Sequence, residues 1–410
     1  MRLAGLAALR SDWRLLAFGF LMAFASSAGQ TYFISLFAHE FHAAFGLGHA
    51  GFGALYSAAT LASGFLLIWG GGLIDRVDLR LFAAVVLAGL TVAACAAATA
   101  AGPLTLVLAV FLLRFFGQGL ASHTAVTSVA RYADPTVRGR AVSLAAMGFP
   151  AGEALWPVVV VAAIAAYGWR GTYGGAAVLV LAVFLPLALL LLAGHGRRHA
   201  GLVTRTASAG PAAGRQWTRG EVARDPMFHR ILLAAMAPSF IVTGVLFLQV
   251  HLVESKGWSL AAFAAGYVGY AACQVGAALV AGQVVDRIGA RRTARFYLLP
   301  LVLGLLVLAA FDTIWSGYLF LMSAGATAGF SSTLLGTLWA ELYGLRNLGS
   351  IRALVTACGV VASALSPALL GALLDLGVTI EALALGCAAY AALGTASLAL
   401  LFRAGRLDPV

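Results

Sequence analysis

Two charged residues, Arg114 and Glu153, stand inside otherwise apolar stretches of the sequence. A charge in such a stretch is energetically costly, so both residues are candidates for function. An arginine can attract an anionic group, and a buried carboxyl group can exchange a proton near neutral pH. The two residues predict a site that takes an anion and a proton. A purely structural ion pair is the alternative.

The positions of the two residues place them at similar depth. Arg114 follows Pro103 by eleven residues, and Glu153 follows Arg140 by thirteen. At 1.5 Å per residue, the intervening helical segments are about 16 Å and about 20 Å long. Both side chains are expected near the middle of consecutive helices, where they either pair or face one cavity. Other side chains at a compatible depth could belong to this substrate and proton site. The alternative is that they only form contacts between helices. These residues are Gln30, Gln118, His123, Gln274, Tyr32 and Trp156.

A second group of residues has the donor types of a transition-metal site. His39 and His42 are three residues apart, as are His251 and Glu254, so each pair shares one face of a helix. Thioether sulfur binds copper(I), and two methionines inside apolar stretches extend the set: Met22 and Met236. The plainer interpretation is that polar residues end these helices and that methionines fill the core.

Membrane-spanning helices must position all of these residues. The chain has 410 residues, of which 62% are hydrophobic and 10% charged, whereas a soluble domain carries about 25% charged residues. Its mean hydropathy is +0.95. A helix of about 20 apolar residues crosses the hydrocarbon of a bilayer. We expect about twelve such spans, and we expect the first to be retained because it is too long for a secretory signal. They are 14–37, 49–73, 80–101, 103–130, 140–166, 170–194, 229–253, 259–284, 293–311, 314–340, 349–374 and 380–402.

The net charge of +11 is a signal of membrane topology. All but three of the 26 Lys and Arg residues lie at the termini or beside the even-numbered loops, the exceptions being Arg114, Arg170 and Lys256. Because cytoplasmic loops carry an excess of Lys and Arg, the even-numbered loops and both termini are expected in the cytoplasm. The pattern predicts a multi-pass protein of a bacterial-type inner membrane, surrounded by lipid, with no nucleic-acid partner.

The two halves of the chain repeat. The stretch GGGLIDRVDLR (70–80) returns as AGQVVDRIGARR (281–292), which aligns Asp75 with Asp286. At nearly the same offset, Pro157 aligns with Pro367. We therefore expect two pseudo-symmetric six-helix bundles, 1–194 and 229–410, joined by a polar cytoplasmic linker, 195–228, with a short helix near 217–224. Duplicated halves with a substrate path between them are typical of transporters.

The repeated acids lie at matching helix ends, where they can bind arginines and the N-terminal dipole of a helix. A cluster of this kind would form only when the cytoplasmic side is closed, so it predicts a gate. Topology anchoring by the arginines alone is the alternative. The candidate gating residues are Gly72, Asp75, Arg76, Arg80, Gly282, Asp286, Arg287, Gly289, Arg291 and Arg292.

The repeated motif resembles the G-x-x-x-D-R-x-G-x-R/K signature of the major facilitator superfamily, between its second and third helices. Asp78 replaces the usual glycine in the first copy, whereas the second copy has Gly289. The stretch RFFGQG (114–119) is similar to the family's fourth-helix motif. The resemblance covers essentially the whole chain and implies an all-α integral membrane protein of twelve helices that moves a small solute by alternating access.

Three substrates and one other class of function are compatible with these residues. Proton-coupled transport of a small organic anion is favoured by Arg114, and residues 339–354 loosely resemble monocarboxylate and oxalate/formate transporters. Drug or amphiphile export and copper import are alternatives, as is a receptor that does not transport. The sequence has no phosphate-binding Gly-Lys-Ser/Thr loop and no catalytic triad pattern, so we expect neither an enzyme nor a cofactor. We expect the protein to act as a monomer.

Overall fold

The computed structural model describes residues 12–75, 77–133, 138–194, 217–344 and 348–402. Within these ranges every regular element is helical. The chain forms two compact units, a first of Met1–Gly46 and Ala58–Pro211 and a second of Leu47–Ser57 and Ala212–Val410. The predicted all-α class is confirmed. The division into 1–194, 195–228 and 229–410 stays a prediction, since most of the predicted linker lies outside the described residues.

The helices up to residue 194 follow one another closely. They are α1 (Trp13–Ala25), a 3₁₀ segment (Ser26–Gly29), α2 (Thr31–Ile34), a 3₁₀ segment (Ser35–Phe37), α3 (Ala38–Phe45), α4 (His49–Gly70), a 3₁₀ segment (Gly71–Asp75), α5 (Leu79–Ala98), α6 (Pro103–Leu112), a π-helix (Leu113–Ala121), α7 (Ser122–Tyr132), α8 (Arg138–Ala146), α9 (Gly148–Leu179), a π-helix (Val180–Phe184) and α10 (Leu185–Leu191).

The helices from residue 217 onward are fewer and mostly longer. They are α11 (Arg219–Val222), α12 (Pro226–Phe247), α13 (Gln249–Ser255), α14 (Leu260–Ile288), α15 (Ala290–Thr293), α16 (Leu299–Ala310), α17 (Ile314–Tyr343), α18 (Leu348–Asp375) and α19 (Ile380–Leu401). Helix α11 confirms the short helix expected near 217–224.

Among the described residues, nine helices are long and apolar enough to cross a membrane, or ten if the bent pair Trp13–Gly29 and Thr31–Phe45 counts as one span. The predicted fifth and sixth spans fall on one helical stretch, Arg140–Leu191, which is broken at Gly168, where φ is 68°. The predicted ninth span falls on the shorter helix α16, Leu299–Ala310. A multi-pass architecture is confirmed, and the count of twelve stays a prediction.

Short polar residues decide where several helices begin. The side chains of Asp78, Asp225, Ser259 and Thr379 accept hydrogen bonds from the first-turn amides of α5, α12, α14 and α19. Each cap satisfies a backbone donor that has no partner inside its helix. The helices themselves are apolar on most faces, and their outer residues are exposed, for example Leu104 at 86% and Leu393 at 70%. Such surfaces are stable against lipid tails.

Candidate functional site

The first membrane span is broken at Gly29 and Gln30. Its two parts, Trp13–Gly29 and Thr31–Phe45, meet at an angle of 45°. The turn before the break, Ser26–Gly29, is a 3₁₀ helix, and Gln30 is extended with φ −82° and ψ 154°. A break of this kind leaves backbone carbonyls without partners inside the helix, so another group has to satisfy them.

The fourth span widens into a π-helix at the same place. The π segment runs from Leu113 to Ala121, and its Gly117 packs directly on Gly29. A Cβ added at Gly29 would lie 2.1 Å from the Leu113 carbonyl oxygen, and one added at Gly117 would lie 2.7 Å from the Gly29 Cα. The two backbones therefore touch, and only glycine fits at either position. π segments of this type are frequent at functional sites.

Arg114 is the second residue of the π segment and has a relative exposure of only 1%. Its Nη1 donates a hydrogen bond to the carbonyl oxygen of Gly29 at 3.1 Å and lies 3.5 Å from the Thr31 hydroxyl oxygen. The guanidinium thus binds the carbonyl end of the first half-span, where the helix dipole is negative. The buried arginine that the sequence singled out is anchored at the break.

Glu153 lies on α9, which packs on the segment just before the same break. Its neighbour Gly152 packs against Ser27, since a Cβ added at Gly152 would lie 2.1 Å from the Ser27 hydroxyl oxygen. The Oε2 atom of Glu153 is buried. Arg114 therefore contacts the short segment Ser26–Gly29 from one helix, and Glu153 follows a residue that contacts it from another. An ion pair between the two side chains stays a prediction.

The other predicted site residues are spread more widely. Gln30 forms the break itself, Gln118 lies on the π segment beside Gly29, and Tyr32 is buried just after the break. His123 lies further along α7, with its ring 3.4 Å from the Thr127 hydroxyl oxygen. Gln274 belongs to the second unit, where its backbone packs on Gly329 of α17.

Trp156 is part of an apolar cavity of about 750 Å³ in the first unit. The cavity is lined by parts of the first span, by both halves of α9 and by the second π segment, including Phe33, Trp156, Tyr167 and Phe184. The buried Trp156 indole nitrogen makes no hydrogen bond to the described residues. This cavity can take an apolar group.

The two copies of the repeated motif use different backbone geometries. In the second copy Gly289 has φ 85°, a conformation that strongly favours glycine. In the first copy Asp78 has φ −54°, and its Oδ1 accepts from the Arg80 amide at 2.8 Å. The replacement of glycine by Asp78 is therefore explained, since this position serves as a helix cap.

The first gating segment is held by backbone contacts. The Nη1 of Arg131 donates to the carbonyl oxygen of Ile74 at 3.3 Å, and Arg80 Nε donates to the carbonyl oxygen of Leu192 at 2.9 Å. Arg131 was missed from the sequence because it looked like one more topology anchor. Arg76 and the side chains of Asp75 and Asp286 lie outside the described residues, so their gating role stays a prediction. The remaining predicted gating residues occupy the motif copies: Gly72, Gly282, Arg287, Arg291 and Arg292.

The candidate metal ligands are divided between the two units. His39 and His42 lie on α3 in the first unit, and His251 and Glu254 lie on α13 in the second. In the described part of the chain, no group of three or more His, Cys, Asp or Glu could hold a metal ion. The two methionines lie on different helices of different units: Met22 on α1 and Met236 on α12.

His251 contacts another histidine instead. Its ring lies 4.7 Å from that of His49, in an edge-to-face arrangement. Beside them, Asp375 Oδ2 accepts from the Ala50 amide at 2.8 Å. These contacts lie within the second unit, to which 47–57 belongs. The separation of 325 residues between Ala50 and Asp375 explains why no local sequence pattern could indicate them.

Comparison with known proteins places this geometry in a family. The model of the Major Facilitator Superfamily matches residues 16–268. No curated protein matches the chain. Among solved structures, a bacterial homologue of the human lysosomal transporter Spinster, inward-facing and unoccupied, aligns with a TM-score of 0.69 at 15% identity, over 97% of this chain and 99% of its own. The nucleoside transporter NupG aligns with a TM-score of 0.71 at 13% identity, over 96% and 100%. At these identities the likeness shows the fold alone.

Proposed function

Because the chain belongs to the major facilitator superfamily, we propose that this secondary transporter moves a small organic anion together with protons. Membership of a transporter family also means that the chain is not an enzyme. Both similar structures are of transporters: one is a nucleoside transporter, and the other is a bacterial homologue of a human lysosomal transporter. We propose the anionic substrate from the charge of this chain's own site.

The observation that carries the proposal is the buried guanidinium of Arg114 at the break of the first span. A fixed positive charge in a span attracts an anion strongly, because little water is present to screen it. A substrate carboxylate at this site would compete with the Gly29 carbonyl for the Arg114 donors. Substrate binding would then change the bond that holds the bend, which links occupancy of the site to the shape of the first span.

Glu153 is the proposed proton carrier. Glu153 follows Gly152, which packs on the segment that Arg114 binds. We therefore place the carboxyl group close enough for an anion bound at Arg114 to favour its neutral form. By linkage, protonation of Glu153 favours anion binding to the same degree. The substrate anion and the proton would therefore cross the membrane together.

Uptake into proteoliposomes tests the proposal. The purified chain is reconstituted with an inwardly directed proton gradient, and the uptake of labelled acetate, lactate, oxalate, malate and citrate is measured. We expect at least one anion to accumulate above its external concentration, and an uncoupler that collapses the gradient to abolish the accumulation. Failure of every anion to accumulate would overturn the proposal.

The apolar cavity beside Trp156 favours a second candidate, transport of an amphiphile. Its lining of mostly apolar and aromatic side chains suits an amphiphilic molecule. The same vesicles loaded with a fluorescent amphiphilic cation distinguish the two candidates. Gradient-driven movement of the cation without movement of any carboxylate would favour the second.

We also propose the membrane placement that the charge distribution predicts, with both termini in the cytoplasm and a monomer as the working form. Labelling of single cysteines placed near the termini by an impermeant maleimide, in intact cells and in inside-out vesicles, tests the orientation. Light scattering of the detergent-solubilised protein measures its mass.

A further inference from the structure

A second cavity, of about 700 Å³, lies within the second unit between α17 and α18. It is lined by apolar residues, by polar side chains and by a buried aromatic residue. The polar and aromatic members of the lining are Ser331, Ser332, Trp339, Arg352 and Thr356. We call it the second-unit cavity. In the repeat, the position of this half that aligns with Arg114 is Ala324.

Arg352 brings a positive charge to this cavity. It lies four residues after the start of α18 at Leu348, about 6 Å along the helix at 1.5 Å per residue. The residue is exposed, and no hydrogen bond or ion pair joins it to the described residues. A guanidinium in this position can take a carboxylate by two parallel hydrogen bonds.

Trp339 lines the cavity and has an N–H group without a partner in the described part of the chain. Its side chain is 1% exposed, and its indole nitrogen has no hydrogen-bond partner among the described residues. A buried N–H without a partner costs on the order of 1–3 kcal/mol, a cost that a bound acceptor would remove. The ring is held in place by Phe228 at 5.4 Å and by Tyr343 at 6.1 Å, so the donor does not have to be ordered on binding.

The serines point to a ligand that also carries hydroxyl groups. The hydroxyl of Ser331 donates to the Thr327 carbonyl at 2.7 Å, and that of Ser332 donates to the Gly329 carbonyl at 2.9 Å. Each oxygen therefore offers its lone pairs to a donor. A cavity with cationic and N–H donors together with hydroxyl acceptors matches an anion that bears hydroxyl groups.

We propose that the second-unit cavity binds a small hydroxycarboxylate, with Arg352 holding the carboxylate. This inference rests on the proposed function and narrows its substrate class to hydroxylated acids. The glycerol phosphate head group of an anionic lipid has the same chemistry, so the experiment must separate the two sources.

Titration calorimetry of the full-length protein in detergent tests the proposal. The probes are malate, its analogue succinate, which lacks the hydroxyl group, and dihexanoyl phosphatidylglycerol. We expect malate to bind at least about threefold more tightly than succinate, and Arg352→Gln to weaken malate binding about tenfold, the loss of one charged hydrogen bond. Trp339→Phe, which removes the N–H and keeps an aromatic ring, should weaken it about threefold.

Matched controls come from the same unit. Arg224→Gln removes an exposed arginine next to α11, and Trp217→Phe alters a ring that packs on Tyr343 at 5.4 Å. Both should leave malate binding unchanged. Malate binding that is absent, or is equal in wild type and Arg352→Gln, would overturn the proposal, as would binding of the lipid alone.

Proteoliposome uptake separates this inference from the proposed function. If a carboxylate is carried with protons while Arg352→Gln changes neither its binding nor its apparent KM, the second-unit site is wrong and the function stands. If malate binds through Arg352 but no carboxylate accumulates, the site stands and proton-coupled anion transport is wrong.

Discussion

Arg114 donates a hydrogen bond to the carbonyl oxygen of Gly29 at 3.1 Å, which joins the fourth span to the break in the first. Two features meet in this contact: a guanidinium buried in the membrane and a helix that ends halfway across it. A buried charge and unpaired backbone carbonyls are each energetically unfavourable in a membrane. The hydrogen bond between them lowers the free-energy cost of both. We infer that Arg114 both positions the first span and provides charge for the substrate.

Replacing Arg114 should reduce both stability and transport. Arg114→Gln loses a charged hydrogen bond in a buried place, worth about 1.5–3 kcal/mol, so the thermal midpoint should fall by several degrees. Arg170→Gln is the control, because Arg170 Nη2 also donates to a backbone carbonyl, that of Ala100, at 2.9 Å. It should lower the midpoint while transport persists. Equal transport in wild type and Arg114→Gln would contradict the substrate role.

The contact between Gly29 and Gly117 should tolerate no side chain. Gly117→Ala would place a Cβ 2.7 Å from the Gly29 backbone, so the two spans would have to separate, and the yield of folded protein in size-exclusion chromatography should drop. Gly174→Ala is the matched control, since an added Cβ there meets no atom of the described residues within 4 Å. That change should stabilise α9 by up to about 1 kcal/mol. A normal yield of Gly117→Ala would show that the contact is not required.

Glu153→Gln should uncouple transport from protons. The amide mimics the protonated acid, so exchange of substrate between two filled compartments should persist while accumulation driven by a pH gradient is lost. Glu341→Gln, at an exposed position of α17, makes the same chemical change and should keep full accumulation. Accumulation by Glu153→Gln at the wild-type level would place the proton site elsewhere.

Asp286→Asn should shift the protein toward the state that is open to the cytoplasm and slow transport, with little loss of expression. The reason for this prediction is that Asp286 aligns with Asp75, and both acids lie at matching helix ends in the repeated motif. In the second copy of the motif the chain turns at Gly289, where φ is 85°. Distances between spin labels on the predicted cytoplasmic loops report the shift. Asp78→Asn is the control, because asparagine caps a helix as well as aspartate does. Unchanged distances in both Asp75→Asn and Asp286→Asn would refute the gate.

Acidification should weaken the contact between His49 and His251. The pKa of His251, which lies beyond the span that ends at Phe247, is lowered by burial and by His49, against the opposing pull of Glu254, Asp375 and Glu381. An unfolded histidine has a pKa of about 6.5, so the stabilisation is complete above that pH and is lost as the pH falls below it.

Thermal midpoints at about pH 7.5 and about pH 5.5, either side of the ordinary histidine pKa, measure this effect. His251→Gln should reduce the difference between the two values, whereas His229→Gln, at an exposed position of α12, should not. An identical pH response in wild type and His251→Gln would exclude the histidine contact as its source.

Most of the architecture could be predicted from composition and periodicity. Apolar runs must form helices in a bilayer because no water satisfies their backbone groups, and basic residues mark one side of it. The motif around Asp75, which recurs around Asp286, indicated the family. Charged residues are rare within the spans, and this rarity identified Arg114 and Glu153 as candidates. These signals are local or depend on chain-wide composition, so they require no knowledge of contacts.

The partners of those residues depended on the tertiary structure. Three relationships join residues of different helices. Arg114 binds the Gly29 carbonyl, Gly117 touches Gly29, and Arg352 and Trp339 line one cavity. A helical sequence determines which residues share a face, but it leaves open the rotation and depth at which two helices meet. Small residues such as those at 26–29 permit a break in a helix or a close approach between helices. Packing against a neighbouring helix decides at which of these residues the break or the contact occurs.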